Sequence, residues 1–279
     1  MEDIIKLIND NVNIPFELKY KFIECANIIL KNFDCAYRNL NINLENIKVC
    51  YLDDSNRYVI RSIKAVSLYD PINNIIYLDP SISNGPQYKN LIIHELLHVA
   101  SNKNDDLGLE TLYGHYSKSL NEGFTELLTR KLCGNLNFGI YEYENDINNI
   151  SIFIQLLGYE EIEKNYFNGK IYNIIVKYFN LIGDNNNLSK ILVNMERDHE
   201  ERLIHKRFNN MYKDIYIKDL VNDISKINFK DEKKVISIIT FITSFIRGQY
   251  KSKKIPGSIK TEIEESLNIM INKEIGYVK

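Results

Sequence analysis

The chain has 279 residues, 44% of them hydrophobic and 26% charged, and its 35 basic and 37 acidic side chains give a formal net charge of -2. This composition predicts a globular protein with a large core, and the charge excludes a strong electrostatic attraction to nucleic acid or to an anionic membrane. The first residues carry acids without a long apolar run, and the apolar stretch 235–246 falls short of a membrane span, so we expect a cytoplasmic location.

The N-terminal part is predicted to combine a helix with short strands. A helix over 15–38 follows from Phe22, Ala26 and Ile29, which return on one side, with Pro15 near its start. Three β-like runs, 47–51, 58–68 and 75–78, come next, and the turn-forming residues of 69–74 predict a hairpin between the last two. Segment 75–79 is the candidate edge strand on which an extended peptide could dock, with an interior strand as the alternative.

Two imidazoles flank a carboxylate after these strands, in the run His94-Glu95-Leu96-Leu97-His98. The flanking apolar residues have helical spacing, and the Gly-Pro pair at 85–86 marks a helix start. Residues four apart share one face of a helix, so His94 and His98 can reach one zinc ion while Glu95 stands beside them to act on a water. The sequence therefore predicts a metal-binding helix with a hydrolase signature.

Beyond residue 146 the pattern is almost wholly helical. Helices are predicted over 147–157, 159–167, 171–182, 187–194, 198–212, 217–227, 231–247 and 261–271. His199 and His205, in the charged stretch 197–207, are assigned to a solvated helix face without a role. The predicted fold class is α+β, with a small sheet and two site-bearing helices over residues 1–145 and a mostly α-helical part over 146–279 that completes or covers the active-site cleft.

A third metal ligand is needed, because catalytic zinc usually takes three protein ligands and keeps one position for water. Glu122 is the leading candidate. It lies in Asn121-Glu122-Gly123-Phe124-Thr125-Glu126, a run that places Glu122 and Glu126 on one face of a predicted helix. The structural alternative is a capping box in which Glu122 bonds back to the backbone of Ser119.

Other side chains near the motif are rival third ligands. Glu110 begins a run, Glu110-Thr111-Leu112-Tyr113-Gly114, that faintly resembles the D-x-x-Y-G of aspartate-ligated zincins. Three more rivals are expected on the connection between the two helices: Asp105, Asp106 and His115. A metzincin would need glycine and histidine where Ser101 and Asn104 stand, so that class is excluded.

The two motifs together resemble those of the gluzincin clan of zinc metallopeptidases, which includes the thermolysin-like enzymes. In that clan the glutamate of N-E-x-x-[ST]-[DE] binds zinc, and the acid four residues later supports the first histidine. The resemblance, which covers about 75–129, implies Glu122 as the ligand and Glu126 as the partner of the His94 ring N–H. Thr125-Glu126 replaces the more usual Ser-Asp, and the G-x-M-E-N motif of the aminopeptidases does not occur, so endopeptidase and exopeptidase activity both stay open.

A zinc site of this kind predicts hydrolysis of a peptide bond. Catalytic zinc lowers the pKa of a bound water to about 7, and Glu95 would take the proton of that water and return it to the leaving amine. Gluzincins commonly add a tyrosine or histidine donor for the oxyanion. Tyr143, ahead of the 147–157 helix, is the first candidate for this donor, followed by Tyr116 and Tyr141.

The sequence thus predicts a zinc-dependent, gluzincin-like metallopeptidase that acts on a peptide or protein. Nucleic acid and membranes are not expected as partners. Two other functions stay open: a non-catalytic metal-binding or regulatory protein with a zincin-like fold, and a zinc hydrolase of a non-peptide amide. Glu95 favours catalysis, because a structural metal site needs no general base.

Overall fold

The computed structural model describes residues 2–53, 66–83, 85, 87–103, 106–111, 117–134, 143–184, 186–203 and 211–227. Helices and short strands share the first part of the chain, and helices account for all the regular structure described beyond residue 117, which confirms the predicted α+β class. Among the helices of these ranges, none combines the length and the apolar character that crossing a membrane requires.

Three helices open the chain: α1 (Glu2–Asp10), α2 (Phe16–Asn32) and α3 (Tyr37–Glu45), with a 3-10 turn at Asp34–Ala36 before α3. The helix predicted over 15–38 is therefore two helices. It breaks at Phe33, whose extended backbone ends α2 and whose ring is buried. Helix α1 was not predicted; it presents Ile4 and Ile8, one turn apart, to the core.

The first sheet contains β1 (Lys48–Tyr51), β2 (Ser67–Asp70) and β3 (Ile75–Leu78) in the order β1-β3-β2. Strand β3 pairs in parallel with β1 and antiparallel with β2, so the prediction of 75–79 as an edge strand is wrong and the interior alternative is confirmed. A continuous apolar run favours such a central strand, although only Ile76 and Leu78 are buried and Ile75 and Tyr77 on the other face are half-buried. Within the described residues β1 and β2 are the two outer strands of this sheet. The part of the predicted 58–68 run before residue 66 lies outside the described residues.

Two long helices carry the predicted site residues. A short helix, α4 (Pro80–Ser83), leads to α5 (Tyr88–Ser101), whose residues from Leu91 to Ser101 are all buried because α2, α3 and the next long helix pack around it. Three two-residue strands, β4 (Asn102–Lys103), β5 (Asp106–Leu107) and β6 (Glu110–Thr111), form a small antiparallel sheet before α6 (Lys118–Cys133). Helices α5 and α6 pack directly against each other.

The second half is helical, as predicted. Its helices are α7 (Glu144–Leu157), α8 (Tyr159–Phe167), α9 (Ile171–Ile182), α10 (Leu188–Leu203) and α11 (Met211–Ile224). The bounds predicted for α8 and α9 are confirmed. The two helices predicted over 187–194 and 198–212 instead form one continuous helix, α10, which ends at Leu203. Those predicted over 231–247 and 261–271 lie outside the described residues. One buried cluster includes residues from Ile4 to Ile224, so both predicted parts contribute to the same core.

Candidate metal centre

Three side chains from α5 and α6 converge on one point. The Nε2 atoms of His94 and His98 are 3.2 Å apart, and Glu122 Oε2 lies 3.3 Å from His94 Nε2 and 3.5 Å from His98 Nε2. The one-turn spacing of the two histidines on α5 aligns their rings, and the packing of α6 on α5 brings the carboxylate to them. Within the described ranges, no other group of three His, Cys, Asp or Glu side chains gathers its ligand atoms this closely.

The spacing of these three atoms fits a tetrahedral zinc ion. Donors bound at about 2.0–2.2 Å from a tetrahedral centre are separated from one another by roughly 3.3–3.6 Å. The observed separations of 3.2, 3.3 and 3.5 Å match the edges of such a tetrahedron. Two imidazoles and one carboxylate are also a donor set found in catalytic zinc sites. The residues present therefore fit the metal that the sequence predicts.

Glu126 lies behind His94, on the side away from the convergence point. Its Oε2 is 3.3 Å from His94 Nδ1, and its Oε1 accepts a hydrogen bond of 2.8 Å from Arg130 Nε. Arg130 in turn donates to Glu144 at the start of α7 with a distance of 2.6 Å. A carboxylate on Nδ1 leaves Nε2 of His94 as the nitrogen available to a metal. The structure thus places Glu126 where the resemblance implies it.

Asn121 occupies the corresponding position behind His98, a role that the sequence analysis did not assign. Its side-chain amide is 3.5 Å from His98 Nδ1, and its Oδ1 accepts the backbone N–H of Leu109 at 3.1 Å. Gly108, at a φ of 58°, makes this possible, because a Cβ there would lie 2.2 Å from Asn121 Oδ1. The only signal in the sequence is that Asn121 directly precedes the candidate ligand.

The electrostatics of the group favour a cation. Burial alone would lower the pKa of His94, but the carboxylates of Glu122 and Glu126 outweigh burial and hold that pKa well above its ordinary value. Burial alone would raise the pKa of Glu122, yet His98 and His94 hold it well below its ordinary value. The carboxylates therefore stabilise positive charge at His94, and a divalent cation would compete with a proton for its Nε2 nitrogen.

Glu95 is not one of the three converging donors, and it contacts the first sheet. Its side chain is only 2% exposed, and its Oε1 accepts a hydrogen bond of 2.6 Å from the Ser67 hydroxyl on β2. Oε2 is also buried, and among the described residues it has no hydrogen-bond partner. A buried carboxylate oxygen without a partner is costly, so it marks a place where a water or a substrate group is expected.

Tyr143 lies directly before α7 and stacks on His94, with ring centroids 5.6 Å apart and an interplanar angle of 26°. Burial raises the pKa of Tyr143 well above its ordinary value, and the carboxylates of Glu122 and Glu95 add to that effect. The phenol is therefore protonated at neutral pH and able to donate. The two other tyrosine candidates, Tyr116 and Tyr141, lie outside the described residues.

The rival third ligands do not join the group. Glu110 is buried on β6, where burial raises its pKa to about 7, and neither Glu110 nor Asp106 brings a ligand atom into the cluster formed by the two histidines and Glu122. Asp105 and His115 lie outside the described residues. The capping-box alternative for Glu122 does not occur, because α6 begins at Lys118 and the Ser119 hydroxyl donates to Asp146 Oδ1 instead, at 2.6 Å.

His199 is buried, so its assignment to a solvated helix face is wrong. It is 1% exposed, and its Nδ1 lies 3.2 Å from Oδ2 of the fully buried Asp146. Arg202 Nη2 contacts the other oxygen of Asp146 at 2.9 Å. These opposite charges compensate one another inside the core. The prediction treated charged residues as exposed and so did not anticipate this arrangement. His205 lies outside the described residues.

The chain matches no protein-family model, no curated protein and no solved structure. The grounds for a function are therefore the side chains of this site and their geometry.

Proposed function

We propose that this protein is a zinc-dependent metallopeptidase of the gluzincin type, acting on a peptide or protein. The observation that carries the proposal is Glu95, which lies between the two histidines on α5 yet is not one of the three converging ligands. It is buried and keeps one oxygen without a partner among the described residues. A structural metal site has no use for such a carboxylate, whereas a hydrolytic site needs one as general base.

His94, His98 and Glu122 would hold the zinc ion, and Glu126 would fix the orientation of His94. When bound, the ion supplies Lewis acidity and lowers the pKa of a water to about 7. The spacing of the three donor atoms supports this assignment, as does the contact between Glu126 and His94 Nδ1. Both features agree with the resemblance to the gluzincin clan.

The side chains around the donors would carry the proton transfers. Glu95 Oε2 accepts a proton from the attacking water and delivers it to the nitrogen of the leaving amine. Tyr143, whose phenol stays protonated, donates a hydrogen bond to the oxyanion that develops on the carbonyl oxygen. Tyr143 belongs to the first part of the chain, 1–145, and the helical second part would complete the site through α7, which begins directly after Tyr143.

The outer strand β2 would align the substrate. It lies next to α5, and its first residue contacts Glu95, so an extended peptide that pairs with β2 would run past the general base. We also propose a cytoplasmic location, because the four cysteines carry free thiols, as is usual in a reducing compartment.

Glu95→Gln is expected to keep zinc and to lose hydrolysis. The amide retains the shape of the side chain and can still accept the Ser67 hydrogen bond, but it cannot accept a proton, so turnover should fall by about 10²- to 10⁴-fold. Elemental analysis of the purified protein measures the zinc, and mass spectrometry of a peptide library measures the cleavage. The matched control is Glu160→Gln, which makes the same change on an exposed residue of α8.

Each outcome of this comparison points to one function. Zinc in all three proteins, with cleavage by the parent and by Glu160→Gln but not by Glu95→Gln, would support the peptidase. Substantial turnover by Glu95→Gln would remove Glu95 from the role of base. A parent that binds zinc but cleaves no peptide would contradict the proposal, in favour of a regulatory protein or a hydrolase of another amide.

Tyr143→Phe is expected to lower kcat about 10²-fold, the usual effect of removing one oxyanion donor. The phenylalanine ring can keep the stacking on His94, so zinc content should not change. Tyr143→Leu serves as the matched control, because it removes the hydroxyl and the stacking together and should weaken zinc binding as well. Unchanged kcat in Tyr143→Phe would limit Tyr143 to packing against His94.

A further inference from the structure

The hydrogen bond from Ser67 gives the two oxygens of Glu95 different surroundings. Ser67 is the first residue of β2, and its hydroxyl lies 2.6 Å from Glu95 Oε1. Oε2 is buried and has no partner among the described residues. The contact joins β2, one of the two outer strands, to the metal-binding helix; a turn, a strand and a short helix separate these two elements in the sequence.

This asymmetry has two consequences for a general base. The terminal torsion of a glutamate is broad and roughly two-fold, so a carboxylate without partners samples many planes. A short hydrogen bond to a charged oxygen restricts that rotation and fixes the plane. The donated hydrogen also takes up one lone pair of Oε1 and lowers the basicity of that oxygen, which makes Oε2 the favoured atom for proton exchange.

We propose that Ser67 is a positioning residue for the hydrolysis, holding the Glu95 carboxylate so that Oε2 alone receives and returns the proton. This inference rests on the proposed function. During the step the water oxygen bonds to the carbonyl carbon while its proton passes to Oε2. When the carbon–nitrogen bond breaks, the same proton passes to the amine. Ser67 keeps its own proton throughout, and its hydroxyl acts on the reaction only through Glu95.

A purely structural role is the competing explanation, because any buried carboxylate needs a hydrogen-bond donor. The two roles differ in what they change. A structural donor affects the stability of the fold, and its loss need not change turnover in the molecules that remain folded. A positioning residue affects kcat at saturating substrate without changing KM or zinc content, since it orients a group that acts in the transition state.

The test compares Ser67→Ala with Ser67→Thr in the full-length, zinc-loaded protein. We expect Ser67→Ala to lower kcat about 10-fold with unchanged KM and zinc content, because a hydrogen bond to a charged group is lost. Ser67→Thr retains a hydroxyl and suits a strand, so it should recover most of the lost kcat. The matched control is Ser81→Ala, which removes an exposed hydroxyl that bonds Asp79 and should leave kcat unchanged.

Thermal unfolding provides a readout that does not depend on activity. Ser67→Ala should lower Tm in the parent background and leave it unchanged when Glu95→Ala is also present, since the contact no longer exists there. Equal Tm shifts in both backgrounds would overturn the contact itself. A parent that cleaves peptide while Ser67→Ala keeps its full kcat would overturn only the role of Ser67, whereas a parent without peptidase activity would overturn the proposed function and the positioning role together.

Discussion

Replacing Glu122 with alanine is expected to release the zinc and to abolish hydrolysis while the helix remains intact. Glu122 Oε2 is one of three atoms that converge within 3.5 Å of one another, so its loss leaves only the two imidazoles. Zinc binds four-ligand sites with about 10–16 kcal/mol, or roughly 3–4 kcal/mol per ligand. Zinc affinity should therefore fall by roughly 10²- to 10³-fold. Alanine is a good helix former, so α6 itself should persist.

Competition with a chromophoric chelator at constant pH measures this loss. Glu126→Gln is the graded control, because it weakens a group that only supports His94, and such substitutions cost about 10- to 100-fold in metal affinity. The expected order of zinc affinity is the parent, then Glu126→Gln, then Glu122→Ala. A Glu122→Ala protein with the zinc content of the parent would contradict the assignment of Glu122 as the third ligand.

The candidate site was predictable where its geometry is local. His94 and His98 are one turn apart, and a helical period alone brings their rings to the same face. Glu122 needed more than periodicity, because nothing in its own helix shows that α6 packs against α5. The resemblance to the gluzincin motifs supplied that step, and the same motif placed Glu126 four residues later, where it lies 3.3 Å from His94 Nδ1.

The residues that support the site were not predicted, because their contacts are distant in sequence. Ser67 reaches Glu95 across 28 residues, and the Ser119 hydroxyl reaches Asp146 across 27. Each of these residues could also be explained by its own element: a hydroxyl residue can begin a strand, and an acid is favourable in the first turn of a helix. Only the packing of the elements reveals that these side chains meet buried partners.

Periodicity predicted most helices of the second half and failed where polar residues are buried. Helices α8 and α9 end next to glycine or asparagine, and their predicted bounds are the observed ones. His199 was predicted to be exposed to solvent because its sequence neighbours are charged. It is buried instead, and both His199 and Arg202 contact the buried carboxylate of Asp146. Strand β3 was proposed as an edge, although a run of apolar residues without alternation is more typical of an interior strand.

Gly123→Ala is expected to destabilise the fold and to disturb the metal site. A Cβ at this position would lie 2.2 Å from the backbone oxygen of Asp146 and 2.4 Å from its carbonyl carbon. Backbone atoms cannot rotate aside, so α7 would have to move away from α6. Asp146 would then lose its short contacts with Ser119, Arg202 and His199. The neighbouring residue, Glu122, would shift relative to the histidines.

The cost of this substitution should exceed the gain in helix propensity. Alanine in place of glycine contributes about 1 kcal/mol in a helix interior. Overpacking costs about 1–3 kcal/mol, and breaking a buried ion pair costs about 3–5 kcal/mol. The free energy of unfolding should therefore decrease by about 3–7 kcal/mol, a large share of the 5–15 kcal/mol that is typical of folded proteins. For a chain of this size, Tm should fall by ~10 °C.

Urea and thermal unfolding, followed by circular dichroism, measure the loss, and Gly134→Ala separates the clash from the general effect of replacing a glycine. A Cβ at Gly134 meets no atom of the described part of the chain within 4 Å, but its φ of 73° disfavours alanine, so that variant should lose only about 1 kcal/mol. Zinc affinity should fall in Gly123→Ala and stay unchanged in Gly134→Ala. If both variants unfold alike and keep their zinc, the close approach of α6 and α7 at Gly123 does not hold Glu122 in place.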